Sequence, residues 1–105
     1  MPQSLWIKMA NLVFELEKKL VAGQPSTGIL RNIDRMKSVL EEAGLLLLNP
    51  LDEPYNEART DLEASITGEA AGKLHVLDVI KPIVYTQQEG GRSLLQKGVV
   101  IVGNK

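Results

Sequence analysis

The chain has 105 residues, twelve basic against thirteen acidic side chains, a net charge of -1, one histidine and no cysteine. That length suits one compact core or two very small ones, and the near-neutral balance gives no field that would gather nucleic acid or an anionic membrane. Without cysteine there is neither a disulfide framework nor a thiolate metal site, and His75 by itself cannot build a multi-histidine centre, so no metal and no cofactor is expected.

The first segment, Leu5 to Val21, places Leu5, Met9, Leu12 and Leu16 at alternating steps of four and three, with Leu20 one turn further on. This spacing predicts a helix with a heptad-like seam, which Trp6, Val13 and Val21 widen on one side while Ile7 and Phe14 lie away from it. Lys8, Asn11, Glu15, Glu17, Lys18 and Lys19 interrupt the apolar residues, and the basic-then-apolar order of a signal peptide is missing. The segment is therefore expected neither to export the chain nor to span a membrane, and a reducing cytoplasm suits the lack of cysteine. Ser4 is a candidate N-cap and Gly23 a candidate left-handed C-cap.

Gln24 to Gly28 make a short link, with a cap at Ser26 or Thr27, after which Ile29, Ile33, Met36 and Leu40 repeat the spacing up to Gly44. Two amphipathic helices with a short connection predict an antiparallel hairpin over residues 1–44. Both carry apolar residues beyond one seam, notably Trp6, Phe14, Leu30 and Val39. A two-fold dimer forming a four-helix bundle would cover that surplus, with Leu5, Met9, Leu12, Leu16, Ile29, Ile33, Met36 and Leu40 at the interface. The rival arrangement folds the hairpin back onto the chain's own sheet.

After Gly44 helix gives way to sheet, so residues 45–105 are expected to form a small β-domain and the whole chain an α+β fold. Leu45 to Leu48 is a short apolar run, followed by a turn-rich loop through Asn49, Pro50, Asp52, Glu53 and Pro54. Between Asn56 and Ile66 two periods compete, since Leu62, Ala64 and Ile66 alternate as in a strand while Tyr55, Ala58, Leu62 and Ile66 fit a helix. A strand from about Thr60 to Ile66 is preferred, because the flanking β-rich segments would give it partners. Thr67 to Lys73 reads as a loop, and Leu74 to Ile80 as a strand.

The last third carries β-branched Val76, Val79, Ile80, Ile83 and Val84, then Val99 to Val102, around a glycine turn at Gly90 and Gly91 that presents Arg92. Gln87 to Gly91 hold almost nothing a core could use, so this tip is expected to face water or a partner.

Val76-Leu77-x-Val79, Tyr85-Thr86, Gly91-Arg92-x-Leu94 and Val99-x-Ile101-Val102 stand in an order and near-spacing that resembles the GrpE proteins, nucleotide exchange factors of DnaK-type chaperones. Leu40 to Gly44 ahead of an apolar strand resembles the end of the GrpE bundle helix, and Asp52, Pro54 and then Glu57-Ala58 its acidic, proline-containing loop. The resemblance covers roughly residues 29–102, and implies a homodimeric helical bundle bearing a β-domain that wedges into the chaperone's nucleotide-binding domain so that ADP leaves. It further implies partner contacts at Arg92 above all, with Tyr85, Gly91 and Glu57. The chain departs from the family pattern at Val84, where a glycine usually stands, at Asn56, usually histidine, and at Gln96-Lys97-Gly98, usually arginine-proline-alanine. The family's long N-terminal helix pair also has no room ahead of Leu5. These departures leave a second expectation open, a dimeric structural or adaptor module of the same architecture with another protein partner.

An enzyme is not expected. Glu41 and Glu42, adjacent on a helix, point to different sides, while Asp61 and Glu63 share the solvated face of a strand. His75 has no nucleophile pattern beside it and reads as a satisfied, half-buried imidazole, and Gly90-Gly91 is followed by no helix and no Gly-Lys-Ser/Thr signature.

Overall fold

The computed structural model describes residues 3–23, 27–68 and 72–104, leaving aside the side chains of Val21 and Gln88. Within them lie two helices, α1 (Gln3–Ala22) and α2 (Thr27–Glu42), and seven strands: β1 (Leu45–Leu48), β2 (Pro54–Tyr55), β3 (Leu62–Ile66), β4 (Leu74–Lys81), β5 (Ile83–Gln88), β6 (Gly91–Gln96) and β7 (Gly98–Asn104). The fold is α+β. One sheet has the order β1-β5-β6 and the other β2-β4-β7-β3, all pairs antiparallel except β3 with β7. No described helix is long and apolar enough to cross a membrane.

The first helix ends differently from the expectation, and the second stops at Gly44 as expected. Gly23 donates its N–H to the carbonyls of Lys19 and Leu20 at 3.2 and 3.1 Å, so it prolongs the last turn and does not take a left-handed cap. The left-handed glycine is Gly44, with φ 88°, which ends α2 and whose carbonyl then accepts the Gln87 N–H at 2.7 Å. Ser4 falls inside α1, past its first residue, and cannot act as its N-cap. Ser26, Pro25 and Gln24, and residues 69–71 of the Thr67–Lys73 loop, lie outside the described residues, as does the side chain of Val21.

Two apolar clusters hold the layers together. Ala10 and Val13 of α1, Ile33 and Leu40 of α2, and Leu45 and Val84 of the first sheet form one, with Trp6 and Leu20 packed against it. Phe14 passes to the other side and joins Leu62, Val76, Val79, Ile83, Val100 and Val102 between the sheets. The chain crosses between the sheets through the loop 49–53 and then at two single-residue corners, Pro82 and Lys97. The second corner is tight: a Cβ on Gly98 would lie 2.9 Å from both Ile83 Cγ1 and Leu62 Cδ2, so only glycine fits without moving the core.

Residues 56–66 resolve in favour of the strand, as Leu62–Ile66. Its parallel partner β7 decides the matter, since Leu62, Ala64 and Ile66 gain a ladder that a short isolated helix would lack. β4 slips register against β7 twice, between Val76 and Asp78 and between Val79 and Lys81. Leu77 and Ile80, the residues skipped by these bulges, remain exposed.

Helix α1 therefore has three apolar or mixed faces. Ala10, Val13 and Trp6 meet α2 and the first sheet, Asn11, Phe14 and Lys18 meet the strands, and Leu5, Met9, Leu12 and Leu16 are open. The seam divides differently from the sequence expectation. Ile33 and Leu40 are 1% and 2% exposed and serve the chain's own core, whereas Leu5, Met9, Leu12, Leu16, Ile29 and Met36 stay exposed, joined by Val39. Trp6 and Phe14, read as surplus, are used internally because the sheets supply a second and third neighbour for α1.

Candidate partner-binding face

The β5–β6 hairpin reverses at Gly90 and Gly91, with φ of 93° and 141°, values that an L side chain rarely adopts. No atom lies within 4 Å of a Cβ placed at either position, so backbone conformation and not crowding asks for glycine there. Gln87 pairs with Arg92 and Tyr85 with Leu94, which puts Tyr85, Gln87, Arg92 and Leu94 on one side of the sheet. On the same side β1 sets Leu46 opposite Tyr85. A cross-strand row, Leu46–Tyr85–Leu94, thus runs over all three strands; Leu46 and Tyr85 are half-buried, Tyr85 packing against the inter-sheet cluster, Leu94 is exposed, and the opposite side packs Leu45 and Val84 on the helices.

Arg92 crowns that row, its guanidinium carbon 5.1 Å from the centroid of the Tyr85 ring. A cation–π contact of this kind at an exposed site is worth about 0.5–1 kcal/mol. No carboxylate pairs with Arg92 among the described residues. Gly91, Arg92 and Tyr85 are therefore brought together, as the sequence predicts. Glu57 belongs elsewhere, to the loop between β2 and β3 on the other sheet, and is exposed. Sequence reading missed Leu46 as a member of this face, because a run of four leucines has no alternation to say which ones point outward.

The loop carrying Glu57 is braced by Arg59. Its Nε and Nη2 donate to the two carboxylate oxygens of Asp61 at 3.0 and 2.9 Å, while Nη1 donates to Glu53 Oε1 and the Pro54 carbonyl at 3.1 and 3.2 Å. The Arg59 hydrogen bonds to Asp61, against some desolvation, hold the Asp61 carboxyl below its ordinary value of 3.8; the bond from Lys18 does the same for Asp78. A carboxyl whose pKa is lower in the folded than in the unfolded state stabilises the fold above its ordinary pKa, and that contribution is lost as pH falls through the folded value. Urea unfolding is accordingly expected to show stability steady above about pH 5 and declining through about pH 4 and below. Asp61→Asn should lower stability at neutral pH and flatten that decline; an unchanged slope would show that the Arg59 brace contributes nothing.

Asp61 is thus committed to Arg59 and Glu63 is exposed on β3; no group of three metal-capable side chains converges among the described residues. His75 is half-buried, as expected, but its Nδ1 is buried without a hydrogen-bond partner among the described residues. Its cross-strand neighbours are Pro54 and Gly103, neither of which brings a polar side chain.

A second open surface lies on the helices. Trp6, Met9, Val13, Met36, Val39 and Leu40 line a wholly apolar cleft of ≈ 210 Å³ between α1 and α2, continuous with the exposed stripe. The molecule thus presents an apolar helical face and a stacked arginine, with chemistry suited to gripping a protein surface. No protein-family model, curated protein or solved structure matches the chain.

Proposed function

We propose that this protein is a GrpE-like co-chaperone: a homodimer joined through its helices that binds the nucleotide-binding domain of a DnaK-type chaperone and promotes release of ADP. The observation that carries the reading is Arg92 set over the Tyr85 ring at the end of the Leu46–Tyr85–Leu94 row, exposed and without a carboxylate partner among the described residues. An arginine fork positioned in this way seeks a carboxylate on another surface, and exposed Leu94 beside it adds apolar area to that contact. The order of motifs across residues 29–102 adds the family resemblance to this geometry.

The mechanism is differential binding. A protein that prefers the open chaperone domain lowers nucleotide affinity by the same factor by which nucleotide lowers its own, and a hundredfold effect asks for about 2.7 kcal/mol of preference. No covalent step is involved. Dimerisation would cover Leu5, Met9, Leu12 and Leu16 with Ile29, Met36 and Val39, each large side chain contributing up to about 1.5–3 kcal/mol if fully buried.

The test is stopped-flow release of a fluorescent ADP from a DnaK-type chaperone of the same source. Saturable acceleration is expected, with Arg92→Ala weakening the half-saturating concentration by about tenfold or more. An absence of acceleration at saturating protein overturns the exchange-factor reading, and leaves the dimeric adaptor, which would still self-associate. Acceleration that Arg92→Ala does not alter removes Arg92 from the contact.

A further inference from the structure

We propose that the joint between α1 and the strands is a latched hinge, in which Asn11 and Lys18 are positioning residues that hold the sheets at one angle to the helical pair. The consequence for nucleotide release drawn below rests on the exchange-factor reading; the hinge itself does not.

Asn11 and Lys18 stand one heptad apart on α1, on either side of Phe14, and each reaches a place where the sheets change course. Asn11 Nδ2 donates to Gln96 Oε1 at 3.0 Å and Gln96 Nε2 donates back to Asn11 Oδ1 at 2.9 Å, a reciprocal amide pair. The same Gln96 Nε2 donates to the carbonyl of Pro82, the corner between β4 and β5, at 2.9 Å. One side chain therefore ties the helix to that corner.

Lys18 makes the second tie, at the bulged stretch of β4. Its Nζ donates to Asp78 Oδ1 and to the Val79 carbonyl, both at 2.8 Å, while the Val79 N–H donates to the same Asp78 oxygen at 2.9 Å. The β4–β7 register slips on both sides of Asp78 and Val79, which turns groups that would otherwise serve the ladder toward the helix.

The space around Lys18 shows that the edge of this joint is open. A half-open cleft of ≈ 250 Å³ lies on one side, lined by Phe14, Leu51 and Val79 with Glu17, Asn49 and Asp78, and a more open one of ≈ 510 Å³ on the other, lined by Phe14, Ala22 and Ile80 with Glu15 and Lys19. A closely packed interface would be stiff without polar ties. Here Ala10, Val13 and Phe14 seat α1 on the sheets, and the two pins fix its angle at the edge where the packing stops. The Lys18–Asp78 pair is about half exposed, so it is a weak and reversible tie, as a joint that must yield requires.

A wedge opens a cleft only if it keeps its angle to the body that carries it. With the pins cut, the sheets could follow a closed partner domain, and the preference for the open state would fade while the contact face stayed intact.

The chain has no cysteine, so Arg35→Cys on α2 and Ser65→Cys on β3, both exposed, can carry spin labels on an otherwise unlabelled protein. Pulsed dipolar spectroscopy, with labelled chains diluted in unlabelled ones, reads the distance distribution between helices and sheets. Asn11→Leu with Lys18→Met is expected to broaden that distribution about twofold with helix content retained, and Lys18→Arg to leave it narrow. Asp78→Asn cuts the second pin from the other side, and decides the matter if the double variant does not fold. An unchanged distribution in a folded pin variant overturns the hinge. In the release assay the double variant should lower the maximal rate about tenfold with the half-saturating concentration within about twofold. Broadening together with no exchange by the unmodified protein would keep the hinge and discard the exchange-factor reading.

Discussion

Phe14→Ala is expected to cost about 3–5 kcal/mol of folding stability, the largest loss from any single side chain of α1. Phe14 is 4% exposed and, among the described side chains of that helix, is the one within the cluster of Leu62, Val76, Val79, Ile83, Val100 and Val102. Its removal would take away both the transferred apolar surface and the filling of a joint that already has open clefts beside it, so the surroundings have little with which to close the gap. Domains of this size hold only about 5–15 kcal/mol in total, so the variant should be marginal at physiological temperature. Urea midpoints and calorimetry check it, and each kcal/mol should lower Tm by about 4–8 °C. Phe14→Leu, which keeps most of the volume, should lose far less. A loss under about 1 kcal/mol for alanine would mean that Phe14 does not seat the helix.

Leu12→Asp with Leu16→Asp is expected to act in the opposite way, abolishing association while sparing the fold. Leu12 is 60% and Leu16 41% exposed, so aspartates there meet water in the single chain and should alter stability by about 0.5–1 kcal/mol at most. In a two-fold helical interface the same aspartates are placed four to an apolar seam, unpaired and facing their own copies, and the dissociation constant should rise about a hundredfold or more. Ile33→Ala is the contrasting case: 1% exposed in the chain's own core, it should cost about 2–5 kcal/mol of stability. Sedimentation equilibrium alongside urea unfolding separates the two effects. An unmodified protein that is monomeric in the micromolar range would remove the helical dimer altogether.

Much of the local structure was legible in the residues. The 3–4 spacing of Leu5, Met9, Leu12 and Leu16, the glycines at 44, 90 and 91, and the β-branched runs around Val76 and Val99 act through neighbours a few positions away, and the elements stand where these signals put them. The site was legible in part for the same reason: a hairpin pairs residues close in sequence, so Tyr85, Gly91 and Arg92 were found together, whereas Leu46, brought in by β1, was not.

What the sequence alone determined about this protein was thus its local elements: two amphipathic helices, a glycine turn presenting Arg92, and β-rich segments after residue 44. Only the tertiary structure decided how they share partners. It sent Phe14 between the sheets and left Leu12 open, although both are large apolar residues of one helix. It also made β3 a parallel neighbour of β7, and joined Asn11 to Gln96 across 85 positions of chain. Periodicity says that a face is apolar; which surface covers it depends on every other element competing for the same contact, and that competition is settled only when the layers close.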